Sequence, residues 1–273
     1  MKNILLYHKG CPDGFGSAYS FWKKYKNKME YLAVNHTDPL DESVYRDKNV
    51  FMADICFSRE IMLKIKSLAK SFQALDHHIS AQEKLSDLDF CKFVQNKSGA
   101  MISWDYVFPN KPAPKIIHLV QDRDLFTWKI ENAEEILLAL DCEEYSFEAW
   151  DKFEKRLRKS EKSVIKEGLA IKKFNKNLIN RLMTKSYFLN IAGYTVPVVN
   201  VSFFQSDMLN LLSKDLDTFA AGYHFDGKRF VFSLRSAPNG MDVSKIANLF
   251  GGGGHKHASG FSVLSLEMLS EAK

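Results

Sequence analysis

The sequence predicts an α/β fold of two domains, a mostly parallel sheet flanked by helices followed by a smaller α/β domain, joined by a long helical connector. Three observations carry this prediction: short apolar runs alternate with helix-period segments in the first half, a strongly basic helical stretch interrupts them, and the alternation resumes beyond it. Residues 3–8, 30–34, 49–54, 71–76 and 90–94 have the length and apolar content of strands, and residues 15–25, 59–70 and 99–107 carry intervening helical patterns. Strands separated by helices pair in parallel through crossovers that cover both faces of the sheet. The interrupting stretch, 151–185, holds twelve Lys/Arg against four Asp/Glu, a local charge of about +8 in a chain of net charge +5. Trp150, Phe153, Leu157 and Val164, then Ile171, Phe174, Leu178 and Leu182, recur at helical spacings, which predicts a long amphipathic helix with a break near Gly168. It reads first as a solvated connector and second as a basic wall that guides a polyanion. Downstream, 186–191, 195–201, 218–223 and 229–234 read as strands, with helices near 206–212 and 243–250. The expected divisions are therefore 1–130, a connector over 131–185, and 186–273.

Composition excludes several classes of protein. With 273 residues, 45% of them hydrophobic and 26% charged, the chain can bury two ordinary cores and has no disordered bias. The apolar stretch in MKNILLYHKG is too short for a signal-peptide core and no later run approaches a membrane span, so no membrane partner and a cytoplasmic location are expected. Cys11, Cys56, Cys91 and Cys142 are scattered without a CxxC pair, as reduced thiols would be, rather than in a disulfide or zinc framework.

The polar residues at the ends of the predicted strands carry the chemistry. His8 ends the first strand, Asp54 ends VFMAD, and Asp76 ends FQALD and opens the tripeptide Asp76-His77-His78. Open α/β sheets bind ligands at the carboxyl ends of their strands, so these residues are predicted to converge. Asp13, in HKGCPDGFGS, follows the first strand just before a helix whose amides would also face an anion. Asp122, in HLVQDRDLF, follows another apolar stretch and would complete the cluster, although Asp124 stands two residues away and either could serve while the other pairs with Arg123. Carboxylates and imidazoles without thiolates suit Mn²⁺ or Mg²⁺ better than structural zinc. Adjacent histidines point in different directions, so one of the pair can hold an ion while the other faces a substrate.

A second cluster, FGGGGHKHASGF over 250–261, suggests phosphate recognition. Consecutive glycines let several amides face an anion, and His255 would add a side-chain donor at the edge of that cradle. Arg235 and Ser236 lie just upstream at a predicted strand end, and arginine grips phosphate through paired hydrogen bonds.

The segments HKGCPDGF, ADICFS, LDHHIS, QDRDLF and RS…FGGGGHKHASGF, in this order over nearly the whole chain, resemble those of the DHH/DHHA1 phosphoesterases. KSGAM, with Ser98 before a predicted helix, fits the same pattern. The family includes RecJ-type exonucleases, nanoRNA-degrading oligoribonucleases with 3′-phosphoadenosine-5′-phosphate phosphatase activity, and cyclic-dinucleotide phosphodiesterases, and this compact chain resembles the oligoribonuclease branch. The resemblance implies a catalytic domain over 1–130 and a substrate-binding domain over 186–273. It implies that His8, Asp13 and Asp54 hold one Mn²⁺, and that Asp54 bridges to a second held also by His77 and Asp122, with Mg²⁺ as an alternative ion. His78 would contact the scissile phosphate, and Asp76 would support it. Arg235, Ser236, His255 and the Gly252, Gly253 and Gly254 amides would bind the end of the substrate, with Ser98 a further contact. The implied activity is hydrolysis of very short oligoribonucleotides to mononucleotides, with cyclic or linear dinucleotides as the alternative substrates and a weakened nucleotide-binding sensor as the third reading. The resemblance also admits a homodimer. One departure stands out: many members carry Asp-x-Asp in the first motif, whereas Phe15 stands at the second position here, which weakens one metal site, to be filled loosely, only with substrate present, or with help from Asp124 or water.

Overall fold

The computed structural model describes residues 2–270. It divides into two compact units, with the boundary between Lys172 and Lys173. The first unit runs β1 (Asn3–His8), α1 (Pro12–Tyr25), β2 (Glu30–Val34), β3 (Asn49–Ala53), α2 (Arg59–Leu68), β4 (Ser71–Asp76), α3 (Ile79–Leu85), β5 (Cys91–Phe93), α4 (Gly99–Val107), α5 (Lys115–Asp124), α6 (Ala133–Leu140) and α7 (Phe147–Lys159). The helix α8 (Glu161–Met183) contains the boundary. The strands form one sheet in the order β2-β1-β3-β4-β5, and every pairing in it is parallel. The near-continuous apolar runs follow from this: Leu5, Leu6, Met52 and Leu75 are all fully buried because helices cover both faces. Since β1 lies between β2 and β3, the connections leave it in opposite directions, and a crevice opens at the carboxyl ends of β1 and β3.

The five strands and the three helices expected in this half are present, their ends differing by a few residues at most. The segment holding Asp122 differs in kind. Expected at a strand exit, HLVQDRDLF instead lies mostly in α5. Ile116, Ile117, Leu119 and Val120 are buried on one face of that helix, and a short apolar run reads equally as a buried strand or a helical face.

Residues 133–164 belong to the core of the first unit. Ile136, Leu137, Trp150, Phe153, Leu157 and Val164 pack with Phe15, Tyr19 and Trp104. Polar contacts fix α7 on α1: Lys23 Nζ lies 2.6 Å from Asp151 and Tyr19 Oη donates to buried Glu154 at 2.8 Å. Partial burial opposes ionisation of Asp151, but Lys155 and Lys23 outweigh it and hold the carboxyl well below its ordinary 3.8. A depressed carboxyl contributes stability that is complete above its unfolded value and is lost as pH falls through its folded value. Asp151→Asn is therefore expected to destabilise the protein near neutral pH, and its deficit should shrink as pH drops below the ordinary 3.8. Urea titrations of both proteins across that range test this; a deficit that grows on acidification would refute it.

The expected break in the basic helix falls at Ser160, not at Gly168, which lies inside α8. Gly168 has a packing role: a Cβ there would meet the carbonyl oxygen of Glu135 at 1.8 Å, so glycine lets α8 lie against α6. Lys172 closes the same contact with Glu134 at 2.6 Å and Glu135 at 2.7 Å. Gly168→Ala should cost about 1–3 kcal/mol by overpacking, read by denaturant unfolding.

The second unit contains the end of α8 and then β6 (Tyr187–Ile191), β7 (Tyr194–Asn200), α9 (Gln205–Ser213), β8 (Ala220–Phe225), β9 (Phe230–Arg235), α10 (Val243–Leu249), β10 (Gly253–His255) and β11 (Ala258–Val263). Its sheet order is β10-β11-β9-β8-β7-β6, antiparallel except between β7 and β8. Phe232, Phe261 and Phe250 stack on one another beneath α10, with centroids 4.9 and 4.3 Å apart. Among the described residues, no helix is long and apolar enough to cross a membrane.

Candidate metal centre

The crevice at the ends of β1 and β3 gathers acids and imidazoles from four stretches of the first unit. His8 is the last residue of β1, Asp13 lies in the first turn of α1, and Asp54 follows β3 with φ of 61°. That left-handed backbone, which aspartate tolerates better than most residues, turns the carboxylate back over the sheet edge. Asp54 Oδ2 lies 3.5 Å from His8 Nδ1, and Oδ1 lies 3.3 Å from His77 Nε2. His77 Nε2 is also 3.7 Å from Asp13 Oδ2 and 3.6 Å from Asp124 Oδ2. Asp13 accepts from the Gly99 and Ala100 amides at 2.6 and 3.0 Å, which anchors it to the start of α4. This needs a close approach: a Cβ on Gly99 would stand 2.6 Å from Asp54 Cβ.

Asp76 organises the two histidines. Its Oδ1 accepts from the His77 amide at 2.7 Å and the His78 amide at 3.2 Å, and faces His78 Nδ1 at 2.6 Å. This fixes the turn after β4 and engages Nδ1 of His78 with Asp76. His78 is drawn upward from its ordinary pKa by the Asp76 hydrogen bond, against partial burial.

Both carboxylate oxygens of Asp54, Asp76 Oδ2 and His77 Nε2 are buried without a hydrogen bond. Buried polar atoms are normally satisfied, so four unsatisfied ones within a single crevice fit a site built to take a cation. The titration shifts agree. Burial and the charges of Asp54 and Asp124 push Asp13 well above the usual carboxylate range. Burial opposes protonation of His77, but Asp54, Asp124 and Asp13 outweigh it and bring the imidazole up to about 9. Burial likewise opposes ionisation of Asp54, but His77 and His8 hold it down at about 2. The crevice thus recruits a proton onto His77 to offset clustered acids, and a divalent cation would replace that proton. One ligand atom from each of Asp13, His77 and Asp124 lies within 4.8 Å of the others, and the same holds for His8, Cys11 and Asp54, and for Asp54, Asp76, His77 and His78. The donor set fits one or two divalent ions.

Of the residues named from sequence, the structure brings together His8, Asp13, Asp54, Asp76, His77 and His78. Asp122 stands apart. Its carboxylate accepts from Thr127 Oγ1 at 2.5 Å and from the Lys129 and Ile130 amides at 2.9 and 3.0 Å, which pins the turn after α5. Asp124 faces His77 instead, because residues two apart on a helix point in nearly opposite directions. Arg123 pairs with Asp141 at 2.8 Å rather than with either neighbour. Ser98 is buried as the cap of α4, its Oγ accepting from the Met101 amide. Phe15 points into the core, stacked on Phe147 at 5.2 Å and edge-on to Trp150 at 4.9 Å. Sequence reasoning missed His36, whose Nδ1 lies 3.0 Å from the Cys56 carbonyl and whose ring is 5.7 Å from His8. Its place just beyond β2 was the available signal. Beside it lies a cavity of about 250 Å³ lined by His36, Arg59, Asp76, His78 and Lys84 among others.

In the second unit, Arg235 ends β9 and donates to Ser206 Oγ at 3.1 Å and to the Leu234 carbonyl at 2.9 Å. Ser236 Oγ donates to the Met241 carbonyl at 2.7 Å and lies 2.9 Å from His257 Nδ1. Arg235, Ser236, His257 and Lys214 help line a cavity of about 460 Å³. Gly253, Gly254 and His255 form the exposed outermost strand β10, with Gly252 just before it. Among the described residues, one edge of β10 has no strand partner.

No protein-family model matches the chain. An uncharacterized protein, R106, of Acanthamoeba polyphaga mimivirus is 32% identical over 297 residues, covering 95% of this chain and 67% of that protein. A pGpG-specific phosphodiesterase from Vibrio cholerae superposes with a TM-score of 0.54 at 12% identity, covering 98% of this chain and 94% of that one. RecJ from Thermus thermophilus, solved with Mn²⁺, gives 0.52 at 13% identity over 98% of this chain and 50% of RecJ. The chain therefore belongs to one family with the mimivirus protein R106 and has the DHH/RecJ-like two-domain fold.

Proposed function

We propose that the protein is a divalent-metal-dependent phosphoesterase that hydrolyses very short oligoribonucleotides to mononucleotides, with 3′-phosphoadenosine-5′-phosphate as a second substrate. The observation that carries this is the set of buried, unsatisfied Asp54 and His77 atoms facing one another at the sheet's switch point. His8, Asp13, Asp54, His77 and Asp124 would hold the ions, Mn²⁺ being the expected species. Bound ions supply Lewis acidity toward a phosphoryl oxygen and lower the pKa of an attacking water. The chain's own residues do the rest. Asp76 holds the His78 ring by Nδ1, so that Nε2 would donate to a non-bridging phosphate oxygen as negative charge grows there. The cavity beside His78 would take the adjoining nucleotide. In the second unit, Arg235, Ser236, His255 and the Gly252–Gly254 amides are the expected phosphate-binding groups.

Linear dinucleotides are the second reading, favoured by the fold shared with the pGpG-specific phosphodiesterase. A turnover panel with Mn²⁺ across RNA of a few nucleotides, short DNA, 3′-phosphoadenosine-5′-phosphate, pGpG, pApA and cyclic dinucleotides separates the two. The proposal expects mononucleotides from short RNA as the fastest reaction. No hydrolysis of any member at any Mn²⁺ concentration would leave only a nucleotide-binding role. His78→Ala should lower kcat by about 10²-fold while ion affinity, measured by calorimetry, stays near that of the parent.

A further inference from the structure

We propose that Cys11 is a ligand of the ion shared by His8 and Asp54, so that this position is a mixed thiolate, imidazole and carboxylate site. The inference rests on the reading of the crevice as a metal centre and extends it to a residue type that the sequence pattern gave no reason to include. The Cys11, His8 and Asp54 ligand atoms lie within 4.8 Å of one another. Asp54 is only 1% exposed, and both of its oxygens lack hydrogen bonds, Oδ2 lying toward His8 and Oδ1 toward His77. Asp54 therefore faces two groups of ligand atoms, one reached through His77, which also neighbours Asp13 and Asp124, and the other formed with His8 and Cys11.

The distribution of acids explains why a thiol is needed. Asp13 is anchored to the α4 amides and turned toward His77, which draws it into the first group. Phe15 is only 3% exposed, stacked in the core, and offers no ligand. This leaves His8 and Asp54 with no further carboxylate of their own. Cys11 occupies the cap position of α1 with an extended backbone (φ −113°, ψ 130°). Cysteine caps less well than serine, threonine, aspartate or asparagine, although its sulfur faces the Asp13 and Gly14 amides of the first turn. Binding would convert the thiol to thiolate and release its proton to solvent. A thiolate ligand shifts preference toward Zn²⁺, Co²⁺ or Fe²⁺ at this position, and leaves the Asp13, His77 and Asp124 position suited to Mn²⁺ or Mg²⁺.

Titrating the full chain with Co²⁺ tests the assignment without recourse to activity. The parent should develop a thiolate-to-cobalt charge-transfer band in the near ultraviolet, and Cys11→Ser and Cys11→Ala should lose it while circular dichroism stays unchanged. The two variants should also lose more than about tenfold in Zn²⁺ affinity. In the unaltered protein, Zn²⁺ should slow alkylation of Cys11, read peptide by peptide, without slowing that of exposed Cys142. Co²⁺ binding to the parent without the band, a band that survives in the variants, or alkylation of Cys11 indifferent to Zn²⁺ would overturn the thiolate ligand and leave the metal centre standing. Calorimetry that finds no divalent ion bound would overturn both.

Discussion

Asp54→Asn should abolish divalent-ion binding and lower hydrolysis by about 10²-fold or more, the loss expected when several kcal/mol of charge stabilisation disappear. Asn keeps the shape of the side chain and tolerates the left-handed backbone at this position, so the variant should fold. It loses the charge that both ion positions share, and it presents an amide nitrogen in place of one ligand oxygen. Thermal unfolding with and without Mn²⁺ reads the effect independently of substrate. Ligand at about 100 times its Kd adds about 2.7 kcal/mol, which for a chain of this size raises Tm by roughly 5–10 °C. The parent should show that rise and Asp54→Asn should not. Equal rises in both would remove Asp54 from the metal centre, and turnover retained in the variant would remove the centre from the reaction.

The second large effect is a contrast between two acids on one helix. Asp122→Ala strips the charged acceptor from Thr127 Oγ1 and from the Lys129 and Ile130 amides, and losing these half-buried hydrogen bonds should cost about 1.5–3 kcal/mol in urea unfolding. Ion affinity should stay close to the parent value once the protein is folded. Asp124→Ala should do the reverse: stability nearly unchanged, and ion affinity reduced by more than about tenfold. Calorimetry and unfolding on the same two samples decide the matter. Loss of ions from Asp122→Ala without loss of stability would restore Asp122 to the ligand set.

The contrast also shows what kind of information the sequence held. His8, Asp54 and Asp76 were legible because a strand end is a strong local signal, and parallel strands whose ends align must bring their last residues together. The choice between Asp122 and Asp124 depended on whether HLVQDRDLF is a strand or a helix. Its apolar residues fit both periods, and only packing against α1 and α4 decides between them. Phe15 read as a vacancy in the site, yet its ring fills the core against Phe147 and Trp150, a relation between residues more than a hundred positions apart. Residues 131–160 fell within the expected connector because a helical pattern runs on from them into the basic stretch that begins at 151. Their apolar face packs on α1, and the charge lies on the opposite face. His36 escaped notice, and Cys11 reads from sequence only as a reduced thiol, for a related reason: a lone histidine in a loop and a lone cysteine before a proline carry no spacing by which to recognise a ligand.

The turn after β3 narrows the choice of residue at position 54 to a single letter of the amino-acid alphabet. Glycine or asparagine would satisfy the backbone and forfeit the charge; glutamate would keep the charge but strain the turn and overreach by a methylene. Each nearest substitute fails on one count or the other. On the proposed role of Asp54, no single substitution here keeps both the turn and the ligand charge. On that same role, a relative with another residue at this position is expected to lose the ion.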